Sequence, residues 1–327
     1  LPYTDGMAES LIVLSATDAD LPRNIPAGME RYTGFREMAA GGCSRLRSCY
    51  DRVTGRTVAM KSLKIESLFD RRERRRLLRE ARITAQLQHP NTVPVYDIGE
   101  DDKEGVYFIM KRISGENLFE ILKRIARGDE ATIAAYPIDR RLEIVAGACQ
   151  ALAYAHARGV IHRDVKPENI WVGNFGEVIL LDWGVAKVWG AADDESPVRQ
   201  STLKPDDGTE SQQTSTLTGG GQRPGTPLYM SPEQIRGNRT IDERSDIFSA
   251  GVCLYETLAV REPFRGKSVD ETFANITGKE VDPPSVVSPQ AGIPEFADAT
   301  VMRAMQKKPG DRFQSMREML AAIRSEG

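Results

Sequence analysis

Short apolar runs broken by turn signals give way, near residue 114, to longer runs with helical spacing, and this switch divides the chain before any single residue is interpreted. Between Arg31 and Ile113 the segments Tyr32 to Phe35, Leu46 to Tyr50, Thr57 to Leu63, Val93 to Ile98 and Val106 to Ile113 are short. They are separated by turn signals such as Gly41-Gly42 and Thr54-Gly55, the pattern of an antiparallel sheet. One stretch, roughly Glu66 to Gln88, instead places Leu77, Leu78, Ala81, Ala85 and Leu87 at mostly helical spacing and stops at His89-Pro90. That predicts a single helix interrupting the sheet. Beyond Ser114 helical patterns dominate: Leu118 to Arg127, Asp139 to Arg158, Ser231 to Arg236, Asp246 to Ala259, Pro294 to Met305 and Ser315 to Arg324.

Two stretches stand outside this scheme. Residues 1–30 carry one apolar run, Leu11 to Leu14, among Pro, Gly and Asp, and read as an extension that docks rather than folds alone. Residues 190–224 shift to Ser, Thr, Asp, Gln and Gly, too long and polar for a resting loop in a compact domain, which marks a regulatory insert. The expected organisation is therefore an extension over 1–30, a sheet-rich part over 31–113 and a helical part over 114–327.

Composition narrows the classes of function. The chain has 327 residues with 44 Lys+Arg against 47 Asp+Glu, a formal charge of -3, so no global cationic field argues for nucleic acid or an anionic membrane. Cys43, Cys49, Cys149 and Cys253 form no CxxC pair, and His89, His156 and His162 make no metal-ligand spacing. A disulfide scaffold and a zinc module are disfavoured, and the thiols suit a reducing cytoplasm. The longest apolar candidates, Ile144 to Ala157 and Ile247 to Val260, are too short and polar for a membrane span. The chain begins at Leu1 without a signal-peptide pattern and reads as part of something longer.

Chemistry concentrates in Ile161-His162-Arg163-Asp164-Val165-Lys166-Pro167-Glu168-Asn169, followed by Asp182-Trp183-Gly184. Upstream lie Val58-Ala59-Met60-Lys61 and, nineteen residues after Lys61, Glu80. Downstream come Gly225-Thr226-Pro227-Leu228-Tyr229-Met230-Ser231-Pro232-Glu233, then Asp246 and Arg312. In this order and spacing the residues resemble the eukaryotic-like (Hanks-type) Ser/Thr protein kinase family, in its bacterial branch, over roughly Arg31 to Arg324.

The resemblance implies an α+β, bilobal kinase fold whose activation segment spans 182–233 and holds the polar insert. It also implies an ATP-dependent phosphotransferase acting on Ser/Thr hydroxyls of protein substrates, with Mg²⁺ as metal and Mn²⁺ as a substitute. Phosphoryl transfer is mostly positioning and charge neutralisation, so it needs cations for oxygens, carboxylates for the metal and an acceptor for one proton. By resemblance Lys61 holds phosphates and is held by Glu80, while Asn169 and Asp182 ligate the metal. Asp164 orients and deprotonates the acceptor hydroxyl, and Lys166 neutralises the moving group. Ala39, Gly41, Ser44 and Leu46 form the phosphate loop; Ala59, Met110, Arg112 and Trp171 line the adenine site near Met110 to Ile113. Arg163 pairs with a phosphorylated residue of the activation segment, for which Thr214, Thr216 and Thr218 are the candidates, and Thr226 marks the Ser/Thr branch. Glu233 with Arg312, and Asp246, are scaffold residues in the family.

The sequence departs from the family pattern in places. Only the middle glycine of the phosphate loop, Gly41, is kept, which predicts reduced nucleotide affinity, since glycines allow close backbone approach. Trp171 replaces an aliphatic adenine floor, either stacking on the base or filling its pocket. Thr84 and Thr92 stand where aliphatic residues join helix to sheet. These departures define the alternative reading, a pseudokinase or weakly active scaffold. A dense basic run, Arg71-Arg72-Glu73-Arg74-Arg75-Arg76 with Arg79 and Arg82, reads first as a solvated helix face and second as a phosphate-receiving or partner surface. It lacks the interleaved aromatics of a nucleic-acid site, and no nucleic-acid or membrane contact is expected of this segment. A membrane-anchored parent, further domains and a homodimer are left open.

Overall fold

The computed structural model of the protein describes residues 24–40, 42–188, 227–238 and 241–325. Gly41, Thr214, Thr216, Thr218 and Thr226, most of the N-terminal extension and the polar insert lie outside the described residues. The chain divides into two compact units: one runs to Ala81 and resumes over Val95–Arg112, the other takes residues 82–94 and 113 onward.

The first unit is a five-stranded antiparallel sheet in the order β1-β2-β3-β5-β4, with β1 Tyr32–Ala40, β2 Ser44–Asp51, β3 Arg56–Leu63, β4 Val95–Asp101 and β5 Gly105–Lys111. Side chains alternate across a strand, so one face gathers Leu63, Val106 and Phe108 and the other Cys49, Val58, Met60, Tyr107 and Ile109. Lys61 falls on the first face, opposite Phe108 on β5. That face is covered by Leu77 and Ala81 of helix α1, Arg71–Gln86. The helix begins later than its periodicity suggested, because Ile65–Ser67 forms a separate 3-10 turn and the Asp70 carboxylate accepts from the Arg72 and Glu73 amides at 2.8 and 3.3 Å. An N-cap acceptor of this kind sets a helix start more firmly than apolar spacing does.

Residues 82–94 group with the second unit rather than with the sheet, for a visible reason. The Asn91 carbonyl accepts from Leu180 N at 2.9 Å and Asn91 Nδ2 donates to Val178 O at 2.7 Å, while Ile83 and Leu87 join that unit's core. Thr92 is buried at the same turn. Its hydroxyl donates to Leu87 O at 2.5 Å, with His89 O also within reach at 2.9 Å, and accepts from His89 N at 3.2 Å, closing the turn after α1.

The second unit is built on helices α2 Leu118–Ala126, α3 Glu130–Ala135, α4 Ile138–His156, α5 Pro232–Ile235, α6 Arg244–Ala259, α7 Val269–Gly278, α8 Pro284–Val287, α9 Glu295–Ala304 and α10 Met316–Arg324. Every residue of α6 from Ser245 to Ala259 is buried, as expected of a helix apolar on most sides that packs against α4 and α9 at once. Gly251 makes that contact close, since a Cβ there would meet the Ala304 Cβ at 2.7 Å. Short strands β6 Glu116–Asn117, β8 Ile170–Val172 and β9 Val178–Leu180 form one small antiparallel sheet, and β7 Val160–Ile161 pairs with β10 Lys187–Val188. Gly115 precedes β6 at φ +94°, where a side chain would run into the Val172 carbonyl. The α+β arrangement expected from the sequence, a sheet-rich unit and a larger helical one, is observed. Periodicity missed α3, α8 and these strands because each is too short to show a period, and α7 because only Thr272 and Ile276 of its ten residues are buried; α3 and α7 are set instead by the caps Asp129 and Ser268.

Candidate active site

In the first unit, Lys61 Nζ donates to Glu80 Oε1 at 2.5 Å. Lys61 lies mid-strand on the face that α1 covers, and Glu80 points down from the helix, so a separation of nineteen residues closes into an ion pair. Only 20% of the Lys61 side chain and 12% of Glu80's is exposed, which strengthens the pair beyond that of a surface salt bridge. Ala39 pairs with Leu46 across the β1-β2 hairpin, and Ser44 opens β2. Ala59 is buried opposite Met110 on β5, and Arg112 follows the end of that strand.

In the second unit the polar run Ile161 to Asn169 forms a loop whose conformation is held from below. Asp246, fully buried at the start of α6, takes His156 Nε2 at 2.7 Å and the His162 amide at 2.8 Å on Oδ2, and the Arg163 amide at 2.8 Å on Oδ1. Burial works against the Asp246 carboxylate, but these donors outweigh it and hold its pKa below the usual range. Gln234 Nε2 adds a bond to Arg163 O at 3.0 Å. Arg163 itself sits at φ 68° and Asp182 at φ 63°, left-handed conformations that cost a non-glycine residue about 1–3 kcal/mol and persist only where surroundings impose them.

The loop presents its chemistry above that support. Asp164 Oδ2 receives Lys166 Nζ at 2.6 Å and Asn169 Nδ2 at 3.2 Å, and Asn169 Nδ2 also donates to Asp164 O at 2.8 Å. Asp164 Oδ1 and Asn169 Oδ1 carry no hydrogen bond among the described residues. Burial opposes the Lys166 ammonium, yet Asp164, Asp182 and Glu168 together raise its pKa above the ordinary lysine value. Leu181 N donates to Asn169 O at 2.8 Å, which sets Asp182 next to this group. His162 stacks edge-on against the buried Trp183 ring at 4.5 Å and engages Leu181 O at 3.0 Å, fixing the same junction. Asp164 and Lys166 line a concave surface continued by Pro227, Tyr229 and Met230.

Trp171 on β8 is half-buried, and its indole Nε1 donates to Ser114 O at 2.7 Å, so the ring's polar edge is already occupied. Arg163 is buried, with Nε on Val185 O at 2.8 Å. Glu233 and Arg312 form a buried two-point ion pair at 2.7 and 2.9 Å, which Ser245 Oγ supports at 2.6 Å. His156 and Gln234 escaped the sequence reading. The one signal for His156 was a lone imidazole inside the apolar run from Ile144 to Ala157.

The residue set that gathers on these two units has counterparts elsewhere. A family model described as protein kinase domain matches residues 32–321. The serine/threonine-protein kinase PknD of Chlamydia pneumoniae is 35% identical over 305 residues, covering 91% of this chain and 31% of the relative. A probable serine/threonine-protein kinase of Corynebacterium efficiens is 35% identical over 301 residues, covering 90% of this chain and 41% of the relative. PknD of Protochlamydia amoebophila is 30% identical over 303 residues, with 91% and 30% covered. The chain thus spans well under half the length of these curated relatives.

Proposed function

Because this chain belongs to the protein kinase domain family, in its bacterial serine/threonine branch, we propose that it transfers the γ-phosphoryl group of ATP to seryl and threonyl hydroxyls of proteins. The observation that carries this reading is the arrangement on Asp164. With Oδ2 held by Lys166 and Asn169, its Oδ1 is left as an acceptor for a substrate hydroxyl.

The residues suit a nucleotide with a hard cation. Asn169 spends its amide nitrogen on Asp164 and keeps its oxygen, and Asp182 supplies a carboxylate beside it. Among the described residues no group of three or more His, Cys, Asp and Glu could hold a metal alone. One carboxylate with one amide oxygen is the sparse donor set that Mg²⁺ accepts when phosphate and water complete its shell. When bound, MgATP supplies the transferable phosphoryl group and the charge that activates it. The first unit contributes Lys61, kept in place by Glu80, as a cation for phosphate oxygens. In the second unit Asp164 orients the acceptor and takes its proton, while Lys166, held charged by its acidic neighbours, offsets the negative charge that develops on the moving group. The same reading gives Ala39, Gly41, Ser44 and Leu46 the role of a phosphate loop and assigns adenine contacts to Ala59, Met110, Arg112 and Trp171.

Regulation belongs to the same proposal. The activation segment is autophosphorylated at Thr214, Thr216 or Thr218, with Arg163 as the cation that receives the phosphate, and Thr226 belongs to the same segment as a mark of the Ser/Thr branch. Four free cysteines accord with a cytoplasmic setting, and no described helix is long and apolar enough to cross a membrane. Incubation with labelled ATP and Mg²⁺ or Mn²⁺ tests the reading. Incorporation by the wild-type chain, lost in Asp164→Asn and Asp182→Ala, is expected; no incorporation with either metal would leave the pseudokinase alternative standing. Mass spectrometry of the product then assigns the modified threonines.

A further inference from the structure

Helix α1 carries a basic face that the proposed chemistry does not use. At about 100° per residue, Arg71, Arg72, Arg75 and Arg79 fall within one arc of roughly 100°, well away from the arc that holds the buried Leu77, Glu80 and Ala81. Two other arginines of the run are committed, Arg74 to Glu100 at 2.6 Å and Arg76 to Glu73 at 3.2 Å, and the last, Arg82, is exposed on the part of the helix grouped with the second unit. Arg71, Arg72, Arg75 and Arg79 make no side-chain hydrogen bond or ion pair among the described residues. Arg71, Arg72 and Arg75 are exposed and Arg79 half-buried. The placement is unfavourable to the isolated helix. Like charges at i,i+4 repel, and cations in the first turn oppose the positive end of the helix dipole. Asp70 at the N-cap offsets the dipole through the helix amides but makes no ion pair with these arginines among the described residues.

Beside this face stand two apolar side chains that solvent surrounds. Phe69 is 96% exposed and Ile65 68%. Their exposure is imposed by the fold. The neighbouring Leu68 packs into the sheet-and-helix cluster and Asp70 caps α1, so the chain is pinned on both sides of Phe69 with its ring turned out. An aromatic anchor next to unpaired guanidiniums is the composition of an interface hot spot.

We propose that Phe69, Ile65 and the arginine face of α1 dock a partner protein through an acidic segment that carries an apolar residue. Guanidiniums recognise carboxylates with two parallel hydrogen bonds, and every free cation on the face is Arg. The face runs about 12 Å along the helix, the reach of a few residues of peptide. The chain as a whole has a formal charge of -3, and screening confines the positive field to about 8 Å at physiological salt. A short acidic segment fits such a field better than a bilayer or a duplex does.

Fluorescence anisotropy of the full chain with a labelled peptide of glutamates flanking a Phe and a Leu tests this. Binding is expected to weaken with salt, to fall about tenfold or more in Arg71→Glu/Arg75→Glu, and to fall separately in Phe69→Ser. Arg71→Lys/Arg75→Lys should lie between, because charge survives without the fork geometry. Circular dichroism melts confirm that these surface variants fold. Absence of peptide binding, or binding unchanged in the charge-reversed variant, overturns the proposal. Tighter retention on phosphatidylserine vesicles or poly(U) RNA than on the peptide, indifferent to Phe69→Ser, overturns it in favour of a non-protein polyanion.

Discussion

Replacing Asp246 by Asn tests how the loop that carries Asp164 is held. The carboxylate receives three N–H donors, two on Oδ2 and one on Oδ1. Asparagine is nearly isosteric but has one acceptor oxygen. Turning that oxygen toward His156 and His162 keeps two bonds and sets its NH₂ against the Arg163 amide; the opposite flip orphans two donors. The first is the lesser loss, so the Arg163 amide becomes the unpaired group. An unmet buried donor costs about 1–3 kcal/mol, and converting two charge-assisted bonds to neutral ones about 1 kcal/mol each. The sum is about 3–5 kcal/mol for the second unit. In urea, with m of roughly 3 kcal/mol per M, the midpoint should drop by about 1–2 M. Tryptophan fluorescence reports it, since Trp171 and Trp183 lie in the same unit as Asp246. Phosphoryl transfer should fall as well, because Arg163 at φ 68° has lost what imposes its conformation. A midpoint within about 0.3 M of wild type would refute the assignment of these three bonds as the loop's support.

Other outcomes follow from the same geometry. Arg312→Met leaves Glu233 buried without its partner and should destabilise by about 3–5 kcal/mol, whereas Glu233→Leu with Arg312→Met should recover much of that, measured by urea melts. Asp246 and Glu233 both have pKa values held below the ordinary carboxylate range despite burial, by His156 and the loop amides in one case and by Arg312 and Ser245 in the other. Their contribution to stability is therefore complete above about pH 4 and lost as pH falls through the lower folded-state values. Acid titration of unfolding stability should steepen below about pH 4 in the wild type and flatten in Asp246→Asn. Lys61→Met should reduce phosphoryl transfer by about 10²–10³ while Glu80→Gln reduces it less, in steady-state assays; wild-type turnover in both would remove the pair from the mechanism.

Much of the candidate site was legible because each residue proposed for it sits inside a short local pattern. Lys61 follows an apolar strand triplet, Asp164, Lys166 and Asn169 share one run of nine residues, and Asp182 opens a turn. The basic run of α1 was equally visible, but not which of its arginines lacked partners. Arg74 is taken up by Glu100, twenty-six residues away on β4, a pairing that nothing local announces.

Sequence alone determined the division into a sheet-rich and a helical part, the order of the candidate site residues and, by resemblance, the pairing of Glu233 with Arg312. Tertiary structure decided what holds them. His156 and Asp246 are ninety residues apart, and Gln234 reaches back seventy-one residues to Arg163; both contacts exist only because α4, α5 and α6 pack together. The structure also assigned residues 82–94 to the second unit through Asn91 and β9, and turned Phe69 outward between an inward Leu68 and a capping Asp70. Local composition sets which elements form, whereas burial and long-range hydrogen bonds are properties of packed pairs, and a pair has no signature in either of its members.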